Sequence, residues 1–328
     1  MAEREFKTLL VTGGAGFIGS NFIHYMMRKY PEYKIINLDK LTYAGNLENL
    51  KDIESNENYR FVRGDICNRQ IIEELFSNNK ISAVINFAAE SHVDRSIEDP
   101  GVFIQTDVYG TFMLLEASSK YKTEVFLQIS TDEVYGSITD GSFKETDPFM
   151  PNSPYAASKA GAEMIVRSFY KTYGTPVLIT RTSNNFGPYQ FPEKIIPLFV
   201  TNLIDGIKVP LYGDGMNVRD WIYVMDNCHA LDLVLHKGKI GEAYNIGGGN
   251  EKPNVWITKT ILKLLEKPVS MIQPVADRLG HDRRYSVDCT KIEQELGWRP
   301  ETDFEEALEK TVKWYLNNQE WWRPLKTR

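Results

Sequence analysis

The chain has 328 residues, 42% hydrophobic and 25% charged, with a formal net charge of −6, which suits a globular protein large enough for a full core. That acidic balance argues against a nucleic-acid-binding surface, while leaving room for a local basic pocket. Cys67, Cys228 and Cys289 form no CxxC pair and the five histidines are scattered, so neither a disulfide framework nor a metal site is expected. The segment Met1-Ala2-Glu3-Arg4-Glu5-Phe6-Lys7 runs straight into a strand-like stretch and lacks the apolar core of a signal peptide. No apolar run approaches the roughly 20 residues of a membrane span. The expectation is a cytoplasmic protein that binds neither nucleic acid nor membrane.

Taken in chain order, the first half alternates short β-rich runs with amphipathic stretches. Strands are predicted at Thr8–Thr12, Lys34–Asp39, 59–62, 83–88, 125–130 and 177–181. Helices are predicted at Phe17–Lys29, 69–77, 101–119 and 155–173. Strands that are apolar nearly throughout, separated by helices, imply a parallel sheet covered on both faces. The fold class is therefore α/β, a doubly wound, Rossmann-type sheet. After residue 184 the pattern becomes mixed, with short strands at 219–224 and Ala243–Ile246 and helices at 193–204, 255–266 and 304–318. No Gly/Ser- or Pro-rich linker intervenes. Residues 1–183 read as a nucleotide-binding domain and 184–328 as a smaller α/β substrate lobe, the chain being free to cross between them and a cleft lying where they meet.

The first predicted strand leads into Gly13-Gly14-Ala15-Gly16-Phe17-Ile18-Gly19 and then a helix. Glycines at a strand-to-helix turn let backbone approach a pyrophosphate, and the helix N-terminus favours its charge. The spacing is G-x-x-G-x-x-G, and taken alone it also fits a plain tight turn. Asp39, twenty residues beyond Gly19 at the end of the second strand, points to a dinucleotide: a carboxylate there accepts hydrogen bonds from ribose hydroxyls and repels a 2′-phosphate. NAD is favoured over NADP, with Lys40 slightly weakening the exclusion. Asp65 has two readings, a contact with the adenine edge or an N-cap ahead of Arg69.

Tyr155 and Lys159 are four residues apart, on one face of a helix that begins there. A phenol with a pKa near 10 is a poor base at neutral pH. A neighbouring ammonium and a positive nicotinamide ring favour the phenolate and make it a base for a hydroxyl proton. Behind a dinucleotide fold and a strand ending in Ser130-Thr131, the pair marks the extended short-chain dehydrogenase/reductase superfamily. The carboxyl end of the fifth strand carries Thr131-Asp132-Glu133, and in open α/β sheets that end faces the ligand crevice. Two adjacent acids often do no more than solvate a loop. In a site, they can take opposite proton roles once their environments separate their pKa values.

With these motifs the chain resembles the dTDP-glucose 4,6-dehydratase family almost end to end. The likeness rests on Gly13–Gly19, on Asp39-Lys40-Leu41-Thr42-Tyr43-Ala44-Gly45-Asn46 and on Phe87-Ala88-Ala89-Glu90-Ser91-His92-Val93-Asp94-Arg95-Ser96. It continues through Thr131-Asp132-Glu133, Tyr155/Lys159, Ser183-Asn184-Asn185-Phe186-Gly187-Pro188, Lys194, Arg219-Asp220-Trp221 and Ala276-Asp277-Arg278-Leu279-Gly280-His281-Asp282. Two departures are a short segment between Gly136 and Tyr155 and Leu279 in place of a usual proline.

The resemblance implies an NAD-dependent hydro-lyase in which Tyr155 takes the O4 proton during C4 oxidation. Glu133 would then remove the C5 proton while Asp132 protonates the departing C6 hydroxyl, with Thr131 and Lys159 in the same catalytic set. It implies that Phe17, Ile18, Thr42, Ile66, Ala88, Ala89, Thr106 and Asn185 line the NAD site. Guanidinium and ammonium groups suit a substrate pyrophosphate, so Arg219 and Lys194 lead there, with Arg278, His281 and Asp277 nearby. Ser91, Asn184, Pro210 and Asn254 are implied substrate contacts, and Tyr212 either meets the base or simply packs. A UDP-hexose 4-epimerase would share the glycine turn and Tyr–Lys pair but needs no acid and base at C5 and C6. A UDP-glucose 4,6-dehydratase would use the same reacting groups, and a non-catalytic NAD-binding protein would need none of them. The superfamily's paired-helix interface implies a homodimer through helices 101–119 and 155–173.

Overall fold

The computed structural model describes residues 3–277 and 280–327. Its first six strands are β1 (Thr8–Thr12), β2 (Lys34–Asp39), β3 (Tyr59–Arg63), β4 (Ala83–Asn86), β5 (Val125–Thr131) and β6 (Val177–Thr182). Then follow β7 (Asn184–Phe186), β8 (Val209–Tyr212), β9 (Val218–Tyr223), β10 (Ala243–Ile246), β11 (Glu251–Pro253) and β12 (Ile272–Val275). The main sheet has seven parallel strands in the order β10-β6-β5-β4-β1-β2-β3. This is the doubly wound α/β topology, reversing direction between β1 and β4, where such sheets open a ligand crevice.

The strand residues explain the two-sided burial. Along β1, Leu9 and Val11 enter one core and Leu10 the other, and β4 and β5 alternate in the same way. Period-two side chains thus feed both faces, and each fully buried Leu, Val or Ile contributes about 1.5–3 kcal/mol. The helices of the first half are α1 (Phe17–Lys29), α2 (Arg69–Asn78), α3 (Val93–Glu98), α4 (Pro100–Phe103), α5 (Thr111–Tyr121) and α6 (Pro154–Tyr173). After them come α7 (Ile195–Ile204), α8 (Val224–Lys237), α9 (Asn254–Leu264), α10 (Thr290–Leu296) and α11 (Phe304–Asn317). One face of the sheet is covered by α2, α5 and α6, and the other by α1, α8 and α10.

A separate core under α7, α9 and α11 joins Phe186, Phe199, Trp221 and Ile257 to Tyr315 and Trp322. It supports the short β11-β9-β7 and β12-β8 sheets. Beyond β9 the chain returns to the first lobe. Val224, Leu231, Val234 and Leu235 of α8, with Ile246, Ile292 and Trp298, pack in the core that holds Leu9 and Val11.

The helix expected over 101–119 is not one continuous α-helix. It starts at Pro100, breaks into a widened π-helical turn over Ile104–Gly110, and resumes as α5. The turn buries Asp107 while Ile104 and Tyr109 stay exposed, which puts Asp107 on the same inward face as Phe103 and Thr111. Such π-turns recur at functional sites.

Candidate active site

A cleft of about 700 Å³ runs from the β1–α1 turn across the ends of β4 and β5 into the second lobe. Local sequence sets its first wall. Gly13 has φ +66°, and a Cβ there would lie 2.6 Å from the Ala88 backbone nitrogen. A Cβ on Gly19 would lie 2.5 Å from the Gly13 carbonyl, so glycine is needed for α1 to seat on β1. Gly16 and Gly19 border the open cleft with Phe17 and Ile18 at the N-terminus of α1. Asp39 ends β2, its carboxylate accepting from the backbone N–H groups of Ala15 at 2.9 Å and Leu41 at 2.8 Å. It ties the glycine turn to the second strand and still presents lone pairs to the cleft.

Lys40 pairs with Asp65 at 2.7 Å, which draws its charge away from the space beside Asp39. Asp65 also accepts from the Cys67 N–H at 2.8 Å, whereas the α2 cap itself is Asn68. Asp65, Ile66, Thr42, Ala88, Ala89, Thr106 and Asn185 all line the cleft. Ser130 Oγ, Asn184 Oδ1, Asn185 Oδ1, Gln190 Oε1 and Asn254 Oδ1 are buried there without a protein partner among the described residues. Unpaired buried polar atoms converging on one cleft are what a polar ligand would satisfy. The residues present therefore fit a dinucleotide in the first lobe and a second polar ligand beyond it.

The reacting groups come from two elements. Ser153 caps α6, its Oγ accepting from the Ala156 N–H at 3.1 Å, and Pro154 follows at the first helical position. Tyr155 thus enters the first turn and Lys159 sits one turn on. The Lys159 ammonium donates to the Ile129 carbonyl at 2.7 Å, and burial pulls its pKa down while Asp107 and Glu163 oppose the shift. Tyr155 is hydrogen-bonded to Thr131, but burial and the Glu133 and Asp107 carboxylates hold its pKa well above the ordinary phenol value.

Strand β5 ends in Thr131, whose hydroxyl donates to Asp132 Oδ1 and accepts from the Glu133 N–H, each at 3.2 Å. Asp132 is 3% exposed. Its pKa stands well above the usual carboxylate range because of burial, then the charges of Glu133 and Asp220. Glu133 is half-buried and lines the same cleft beside Tyr155. Of the adjacent acids, Asp132 is the more deeply buried, and that burial favours its neutral form.

In the second lobe, Arg219 is buried with its guanidinium 4.2 Å from the Tyr285 ring centroid, donating to the Asp282 and Val218 carbonyls at 3.0 and 2.7 Å. Lys194 donates to the Ser91 carbonyl at 2.7 Å. With Pro210, Tyr212, Asn254 and His281 these residues line the far end of the cleft. Asp277 is an exposed carboxylate 2.6 Å from Nδ1 of His281, which lines the cleft. The Tyr212 ring meets His281 edge-on at 6.4 Å between centroids. Arg278 and Leu279 lie outside the described residues. Sequence reasoning passed over Glu90, Asp107 and Tyr285. Tyr285 lies only three residues past Asp282, within reach of the block that was singled out, whereas an acid on a predicted helix such as Asp107 reads as solvent-facing.

A doubly wound sheet, a glycine turn with Asp39 and a Tyr155/Lys159 pair define an NAD-type short-chain dehydrogenase/reductase fold of the extended, sugar-nucleotide kind. The family described as GDP-mannose 4,6 dehydratase matches residues 10–311. The dTDP-glucose 4,6-dehydratase of Streptomyces antibioticus is 50% identical over 325 residues, covering 98% of this chain and 96% of that protein. The solved dTDP-glucose 4,6-dehydratase DesIV of Streptomyces venezuelae, with NAD bound, is 50% identical with a TM-score of 0.94, covering 97% and 99% of the two chains. UDP-glucose 4-epimerase of Thermotoga maritima shares the fold at a TM-score of 0.88 but only 32% identity, covering 95% and 99%. The chain belongs to the dTDP-glucose 4,6-dehydratase family.

Proposed function

We propose that this enzyme dehydrates dTDP-glucose to dTDP-4-keto-6-deoxyglucose, keeping its NAD through the whole cycle. The observation that carries this reading is the Asp132–Glu133 pair at the end of β5, facing the same cleft as Tyr155. Tyr155 removes the O4 proton as C4 is oxidised. The resulting ketone acidifies the C5 hydrogen, which Glu133 takes as a carboxylate base. Asp132, whose neutral form burial favours, donates to the departing C6 hydroxyl. The unsaturated ketone so formed takes back one hydride at C6 and one proton at C5, which closes the cycle with no net oxidation. The chemistry that NAD supplies when bound is reversible hydride acceptance, and its positive ring adds the charge that favours the Tyr155 phenolate. Gly13, Gly16, Gly19 and Asp39 would hold its pyrophosphate and ribose, with Ile66, Ala88, Thr106 and Asn185 along its length. Arg219 and Lys194 would hold the sugar-nucleotide pyrophosphate.

Incubation of the purified protein with dTDP-glucose and, separately, UDP-glucose tests the reading, with no reductant added. The expected result is a product lighter by one water from dTDP-glucose in preference to UDP-glucose. A stoichiometric demand for external NADH would overturn the closed cycle, and an epimer without loss of water would overturn the elimination.

The quaternary reading is a homodimer. Ile104 and Tyr109 of the π-turn and Met164 of α6 are exposed at 53%, 40% and 48%, an apolar face on helices that otherwise cover the sheet. Met164→Glu combined with Ile104→Glu is expected to yield a folded monomer by sedimentation. A wild-type protein that sediments as a monomer at micromolar concentration would refute the assignment. No helix among the described residues is long and apolar enough to cross a membrane. The unpaired thiols of Cys67, Cys228 and Cys289 suit a reducing, cytoplasmic setting.

A further inference from the structure

We infer that Asp107 is a positioning residue for the oxidation step, fixing Ser158 between Tyr155 and Lys159 and placing a negative charge close to both. The inference rests on the dehydratase reading of this site and extends it to a group outside the reacting set.

Asp107 sits within the π-helical turn Ile104–Gly110 and is 1% exposed. Its two carboxylate oxygens are each engaged. One accepts from the Glu90 N–H at 3.0 Å, in the connection that follows β4, and the other from Ser158 Oγ at 2.6 Å. Ser158 directly precedes Lys159 on α6, and its Oγ also lies 2.7 Å from the Tyr155 carbonyl. A carboxylate buried in this way is costly without an opposite charge. Lys159 provides it, and Asp107 in turn is the largest influence opposing the loss of the buried Lys159 proton. The same negative charge works against the Tyr155 phenolate.

The titratable groups facing Asp107 are Glu90 from the β4–α3 connection and Tyr155 and Lys159 from α6. Glu163 faces Lys159 from the same helix. Cys67 reaches the turn through its outer side, donating to the Gln105 carbonyl at 3.2 Å. Neither α4 nor the first turn of α5 brings a titratable side chain. Burial raises the Asp107 pKa to about 6, so its charge is present above that pH and fades below it.

The sign follows from the charges. Removing a negative charge favours the phenolate and disfavours the ammonium, so the pKa values of Tyr155 and Lys159 both fall. Asp107→Asn isolates this effect, because its amide oxygen can accept from the Glu90 N–H while its NH₂ donates to Ser158 Oγ. Ser158 would then donate to the Tyr155 carbonyl, and the network survives without the charge. In the holoenzyme, both limbs of the kcat–pH profile of Asp107→Asn are expected to move to lower pH by about half a unit to one unit. The two profiles should converge below about pH 6, where wild-type Asp107 is neutral. Tyrosinate difference absorbance, with Tyr155→Phe as the blank, should report the same downward shift for the single phenol. Asp107→Ala, which also breaks the network, should move the limbs equally and lower the plateau as well. Limbs that stay in place in Asp107→Asn, with the plateau alone reduced, would overturn the inference. If Tyr155→Phe kept wild-type turnover, the reading of the reaction would fail first, an outcome the same series distinguishes.

Discussion

Tyr155→Phe is expected to abolish the transient NADH signal on mixing with dTDP-glucose and to lower product formation by about 10²–10⁴-fold, the usual cost of losing a general base. The phenyl ring can keep the edge-on contact with Phe103, 6.3 Å between centroids at 77°, so the first turn of α6 has no reason to move. Ser153 still caps that turn, and Lys159 still donates to Ile129. What is lost is the hydroxyl that Thr131 orients. The NAD content of the purified variant should match wild type, since the glycine turn and Asp39 are remote from the substitution. A variant that still reduced its NAD on mixing would move the base for O4 to another group, with Glu133 the first to examine. The phenol sits among carboxylates that raise its pKa, so activity should fall as pH drops through the acid limb.

Much of this site could be read from the chain, for physical reasons that also mark where reading stops. The central strands were visible because β1, β4 and β5 are apolar on both faces, and a strand buried between two helical layers has no polar side to blur its limits. Tyr155 and Lys159 were visible because Ser153 and Pro154 fix where the helix begins, and the four-residue spacing does the rest. Asp39 was placed by its distance from the glycine turn. The return of α8 and β10 to the first lobe leaves no local mark, because Val224, Leu231 and Ile246 find their partners across two hundred residues of chain. Periodicity cannot report a π-turn either. Asp107 shares the inward face of Phe103 and Thr111, and only the hydrogen bonds from Ser158 and Glu90 show why an acid belongs there. Asp277 was singled out by its neighbours in sequence, and its contact with His281 belongs to tertiary structure. Arg219 was singled out for its charge, but the carbonyls and the Tyr285 ring that hold its guanidinium belong to tertiary structure.

Glu133→Gln is expected to separate oxidation from elimination. The backbone N–H of residue 133 is already bonded to Thr131 Oγ1 at 3.2 Å, and an amide side chain leaves that turn alone. Tyr155 keeps its hydroxyl, so C4 oxidation should proceed and NADH should appear on mixing. An amide cannot take the C5 proton as a carboxylate does, so formation of the 4-keto-6-deoxy product should fall by about 10²–10⁴-fold. The reduced cofactor should then persist instead of vanishing within a turnover. Asp132→Asn should also arrest the cycle after oxidation, for the opposite proton reason. Burial, with Glu133 and Asp220 beside it, favours the neutral acid at Asp132, and asparagine has no acidic proton to give the leaving hydroxyl. Replacing the C6 hydroxyl of the substrate by fluoride, a leaving group with little need of an acid, should restore much of the elimination to Asp132→Asn and little to Glu133→Gln. Rapid-mixing absorbance of NADH, read beside the mass of the sugar product, distinguishes the two variants. A Glu133→Gln enzyme that made product at the wild-type rate would remove the acidic pair from the elimination step.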